Sequence, residues 1–130
     1  MHRVVLVDDQ RSAIRLLALA LRNEGYLVDT FHSALEALAS VVAAPPDAMV
    51  TDIEMPGMTG EELCAEIEQQ MPDRSFPIIV VTASTSLHHR GWTRDIDNLT
   101  FLEKPVSIRA LLKTLDKNCV SPLLPSTGVG

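Results

Sequence analysis

The chain has 130 residues, 46% of them apolar, and its 11 Lys and Arg stand against 17 Asp and Glu for a formal net charge of −6. That length suits one domain of about 100–150 residues with its own core, and the acidic balance argues against general nucleic-acid binding, which shows a basic face. Two cysteines, Cys64 and Cys119, are too few for a disulfide framework and match no metal spacing.

The first apolar run, 4–7, is too short for a signal-peptide core or a membrane span, so a soluble, cytoplasmic protein is expected. It ends in Asp8-Asp9. Ile14, Leu17, Ala18 and Leu21 then fall at i, i+3, i+4 and i+7, which predicts a helix with one apolar stripe. The second run spans 27–31. Ser33-Ala34-Leu35-Glu36 after it fits a capping box, in which two side chains satisfy free backbone N–H groups. Leu35, Leu38, Ala39 and Val42 predict the stripe of the helix it starts.

The third run, 48–50, leads to Asp52, and Thr59-Gly60-Glu61-Glu62 is a second capping box. The fourth, 78–81, leads to Thr82. Residues 84–98 carry little apolar periodicity, although parallel neighbouring strands require a long crossover there. A short, irregular or mobile helix is expected. Within it His88-His89 reads as an exposed loop pair, and Trp92 as a packed residue or a partner contact. The fifth run, 99–102, leads to Lys104-Pro105. Ser107 is a candidate N-cap for a last helix, with Ile108, Leu111, Leu112 and Leu115 as its stripe. The Pro, Ser and Gly of residues 119–130 read as a linker or disordered tail, leaving 1–118 as the domain.

Several runs are β-branched and lack polar alternation, as strands covered on both faces do. Strand and helix alternate five times, which implies an α/β fold with a parallel sheet between two helix layers. In such sheets ligands bind outside the carboxyl ends of the strands. There the sequence sets Asp8, Asp9, Asp52, Thr82 and Lys104. Singly, each has a plainer reading: a solvated turn, a cap, an ordinary strand end, a surface charge. Jointly they suit one site. Crowded carboxylates repel and raise one another's pKa unless a cation sits among them. Oxygen ligands suit a hard cation such as Mg²⁺, with Mn²⁺ as a substitute. Phosphoryl chemistry with a carboxylate nucleophile follows.

The segments Val5-Leu6-Val7-Asp8-Asp9, Asp52-Ile53-Glu54-Met55-Pro56-Gly57-Met58-Thr59-Gly60, Val80-Val81-Thr82-Ala83 and Phe101-Leu102-Glu103-Lys104-Pro105 together resemble the receiver domains of two-component response regulators, the CheY-like superfamily. Thr82 lies 30 residues and Lys104 52 residues beyond Asp52, in keeping with that family. The resemblance implies a flavodoxin-like doubly wound (βα)5 fold with a five-stranded parallel sheet in the order 2-1-3-4-5. It implies Asp52 as phosphoacceptor, with Asp8, Asp9, Asp52 and the Glu54 backbone carbonyl around Mg²⁺. Lys104 and Thr82 would meet phosphoryl oxygens, Thr82 and Phe101 would form the switch, and Pro105 would follow a cis peptide bond. Glu54 and Ser84 stand where the family tunes phosphoryl lifetime.

The implied donor is a histidine kinase or phosphotransfer protein. The implied output is a C-terminal domain missing from this chain or a separate effector. It would be controlled through the face of the fourth crossover, fifth strand and last helix, with homodimerisation there as an option. No direct nucleic-acid or membrane contact is expected. Such a domain catalyses only its own phosphorylation and dephosphorylation and is no enzyme toward other substrates. A haloacid-dehalogenase-like phosphatase is disfavoured, since it wants Asp-x-Asp after the first strand where this chain has Asp8-Asp9-Gln10. An FMN-binding flavodoxin-like module is disfavoured because Asp8-Asp9 would repel the phosphate.

Overall fold

A computed structural model describes residues 2–83, 91 and 96–118. Its elements are β1 (Arg3–Val7), α1 (Arg11–Asn23), β2 (Leu27–Phe31), α2 (Ala34–Ala43), β3 (Ala48–Asp52), α3 (Gly60–Gln70), β4 (Ile78–Thr82), β5 (Leu99–Glu103) and α4 (Ile108–Lys117). The strands form one parallel sheet in the order β2-β1-β3-β4-β5, the expected doubly wound arrangement. Ser84, His88, His89, Trp92, the crossover helix expected within 84–98, Cys119 and the 119–130 tail lie wholly or largely outside the described residues. No helix among the described residues is long and apolar enough to cross a membrane.

Strand alternation divides the core between the two faces of the sheet. Val5, Val7, Met49, Ile78 and Val80 pack with α2 and α3, whereas Val4, Leu6, Val50, Ile79 and Val81 pack with α1 and α4. The stripes of α1 and α4 fall where the periodicity puts them, with Ile14, Ala18, Leu21, Leu111 and Leu115 fully covered.

α2 differs from its sequence reading. It buries Ala34, Ala37, Leu38 and Val41, while Leu35 is 64% and Val42 41% exposed. Both sets obey the same i, i+3, i+4, i+7 spacing, so periodicity alone does not separate them. The set with three small or β-branched side chains faces the sheet.

The helix starts follow the capping signals. Thr59 and Glu62 complete a reciprocal capping box at α3. Ser33 accepts from the Glu36 N–H at 3.4 Å, one half of the box expected at α2. Ser107 accepts from the Ala110 N–H at 3.0 Å and caps α4.

Candidate functional site

The carboxyl ends of β1, β3, β4 and β5 meet at one edge of the sheet, and the parallel register aligns their last residues. Val7 pairs with Thr51, Asp52 with Val81, and Thr82 with Glu103. Asp8, Asp9, Asp52, Thr82 and Lys104 therefore reach one place from four strands. Each of the three aspartates offers a carboxylate oxygen within 4.8 Å of the others. Asp52 is 7% exposed and closes β3. Its Oδ1 accepts from the Ile53 N–H at 2.8 Å, and its Oδ2 from Lys104 Nζ at 2.9 Å. Asp8 Oδ1 accepts from the Gln10 N–H at 2.9 Å and so shapes the turn into α1.

Among the described residues the charges do not balance: one ammonium faces three carboxylates in a partly buried pocket, where Coulomb repulsion is weakly screened. Burial, followed by the nearby charges of Asp52 and Asp9, raises the Asp8 carboxyl above its ordinary value, against the lowering by Gln10 N–H and Lys104. Burial by itself would lower the Lys104 pKa. The bond to Asp52 and the surrounding carboxylates outweigh that and raise it. Three hard oxygen donors with excess negative charge fit a divalent cation such as Mg²⁺.

Thr82 ends β4, is buried, and accepts the Lys104 N–H on its carbonyl at 2.8 Å. Phe101 lies half-buried in β5 opposite Val80, against the core shared with α2 and α3. Strand alternation puts the Thr82 side chain on that same face. The Glu54 side chain is exposed and takes no part in the aspartate cluster. The Lys104–Pro105 peptide bond is cis. Beside Asp8, Asp52 and Lys104 a cavity of about 450 Å³ opens between α1 and the turn at Pro105 and Val106.

Two contributors escaped the sequence reading. Gly60 starts α3 against the end of β3, its N–H bonded to the Ile53 carbonyl at 2.8 Å. A Cβ on Gly60 would run into the Asp52 carbonyl oxygen, so the helix reaches the site only with glycine there. The signal was the glycine following the Thr59 cap. His32, just beyond β2, sets its Nδ1 3.3 Å from the Asp8 carbonyl oxygen, and no sequence pattern announces that contact.

The family model of the response regulator receiver domain matches residues 4–116. Response regulator MprA of Mycobacterium ulcerans is 34% identical over 110 residues, covering 85% of this chain and 47% of the relative. The chain thus spans about half the length of the curated relatives it matches. Among solved structures, chemotaxis protein CheY4 of Vibrio cholerae superposes with a TM-score of 0.83 at 32% identity, covering 90% of this chain and 98% of that one. Response regulator TrrA of Thermotoga maritima, in complex with Mg²⁺ and BeF, gives 0.78 at 32% identity over 91% and 99% of the two chains.

Proposed function

Because the chain belongs to the response regulator receiver domains, we propose that it accepts a phosphoryl group on Asp52, with Mg²⁺ bound, and passes the signal to an output elsewhere. The carrying observation is the Asp52 carboxylate, fixed by the Ile53 N–H and Lys104 Nζ and set among Asp8 and Asp9. Asp8, Asp9, Asp52 and the Glu54 carbonyl would hold the cation. When bound, Mg²⁺ supplies positive charge to phosphoryl oxygens and offsets the carboxylates.

An Asp52 oxygen attacks phosphorus, the P–N bond of a donor phosphohistidine breaks, and the imidazole leaves with the bonding pair. Lys104 neutralises charge on the transferred group, and the Thr82 hydroxyl donates to one of its oxygens. Turning Thr82 toward that oxygen frees space on the sheet face it shares with Phe101, whose rotation would report the event at β5. Glu54 and Ser84, two residues beyond Asp52 and Thr82 in the chain, stand at the positions where the family tunes the lifetime of the acyl phosphate. The domain acts on no further substrate.

A histidine kinase or phosphotransfer protein is the donor in this reading. Residues 1–118 are the receiver, 119–130 the linker, and the output is a domain or effector beyond this chain. That role places the protein in the cytoplasm. Incubation with acetyl phosphate and Mg²⁺ is expected to add one phosphoryl group by intact mass, and Asp52→Asn or a chelator to abolish it. Equal labelling of the variant would refute the assignment.

A further inference from the structure

On the side of α1 that faces β2, a second charged region stands apart from the carboxylates. α1 carries Arg11, Arg15 and Arg22 and no acidic residue. All three are exposed, and none forms an ion pair among the described residues. Arg22 donates to the Val28 carbonyl at 2.8 Å. The neighbouring Asp9 carboxylate is drawn into the cluster with Asp8 and Asp52. An arginine at the first helical position opposes the helix dipole, and a second one four residues on repels it. Departures from such local rules are expected at functional sites.

The arginines rim a groove of about 520 Å³ between α1 and β2, with Ile14 and Ala18 beneath and Thr30 and His32 on the strand side. That volume lies within the roughly 300–1,000 Å³ of small-molecule sites. The helix rise sets Arg11 and Arg15 about 6 Å apart along the axis, and Arg15 and Arg22 about 10 Å apart. Guanidinium forks match phosphoryl oxygens two at a time.

The rest of the molecule narrows the ligand. Without these three arginines, 8 basic residues would face 17 acidic ones. A long polyanion or an anionic membrane would meet that acidic remainder, whereas a compact anion meets only the groove. A peptide strand adding to β2, the edge of the sheet, would find the Val28 carbonyl already taken by Arg22. We infer that this groove binds a small molecule bearing two or more phosphoryl groups, of the oligophosphate class.

The test is calorimetric titration of the full chain with inorganic tripolyphosphate, in chelator and about 0.15 M salt, where exposed charges beyond about 8 Å are screened. One site is expected, weakened at least about tenfold by Arg15→Gln or by Arg22→Gln and unchanged by Arg109→Gln on α4. Arg15→Gln relieves a like-charge pair, so its melting temperature should hold or rise, separating lost binding from lost folding. The inference is overturned if the native protein does not bind, if the Arg15→Gln, Arg22→Gln double variant binds equally well, or if Arg109→Gln weakens binding as much. Capture on phosphatidylglycerol vesicles without tripolyphosphate binding would equally overturn it, by assigning the groove to a lipid surface.

Discussion

The two edges of the sheet both carry ionisable side chains, and they balance them differently. At the amino ends of the strands, Arg3 Nη1 lies 2.6 Å from Asp29 Oδ2, its backbone N–H donates to Asp47 at 2.7 Å, and its Nη2 donates to the Ala44 carbonyl. Asp47 also faces His2 Nδ1 at 3.6 Å. Arg74, its side chain 3% exposed, lies 3.1 Å from Glu68 and donates to the Phe76 and Asp97 carbonyls. It also sits over the Phe76 ring. Among the described residues, Arg3 and Arg74 each have a carboxylate there. At the carboxyl ends, among the described residues, Lys104 alone answers Asp8, Asp9 and Asp52. Matched charges tie distant chain segments together, and unmatched ones mark chemistry the fold leaves to a ligand.

The sharpest way to break this contrast is to exchange consequences between the edges. Removing Lys104 should act on chemistry. Lys104→Ala is expected to slow phosphorylation by acetyl phosphate about 10²–10³-fold, the cost typical of losing one preorganised charge-stabilising donor. Labelling rates followed by mass spectrometry check it, and a rate within threefold of the native one would place the catalytic charge elsewhere.

Removing Arg74 should act on stability. Arg74→Met strands Glu68 and two carbonyls, and is expected to cost about 2–3 kcal/mol in urea unfolding, with labelling of the folded protein unchanged. A loss of labelling without a loss of stability would erase the distinction between the edges.

The smallest effect has the opposite sign. Because the Asp8 carboxyl is raised in the folded protein, its contribution to stability is present in acid, below the ordinary value of 3.8, and is lost as pH rises through the elevated value. In chelator at neutral pH, Asp8→Asn should therefore raise the melting temperature. The gain should shrink as pH falls through the raised carboxyl value and the native side chain protonates. Added Mg²⁺ should raise the native Tm more than the variant's, by mass action. Calorimetric scans with and without metal read both.

The carboxyl edge was legible in the sequence because the chain itself signals it: each site residue ends an apolar run, and the α/β topology gathers run ends together. Capping at Thr59 and Ser107 was legible for the same local reason. The amino edge was not. Arg3 reaches Asp29 and Asp47 across 26 and 44 residues, and Arg74 meets Asp97 across 23, with no motif to mark either. The buried stripe of α2 is not legible from periodicity, because Ala34, Ala37, Leu38 and Val41 repeat as well as Leu35, Leu38, Ala39 and Val42. The closeness of Gly60 to Asp52 needed backbone coordinates.

Which carboxylate takes the phosphoryl group is the central question, since Asp8, Asp9 and Asp52 share one pocket. Borohydride reduction of the protein phosphorylated with acetyl phosphate and Mg²⁺, followed by peptide sequencing, converts an aspartyl phosphate to homoserine and so reads the position directly. Homoserine at position 52, with Asp8 and Asp9 intact, is the expected result. Homoserine at position 8 or 9, or none in a protein that had gained the phosphoryl mass, would contradict the account.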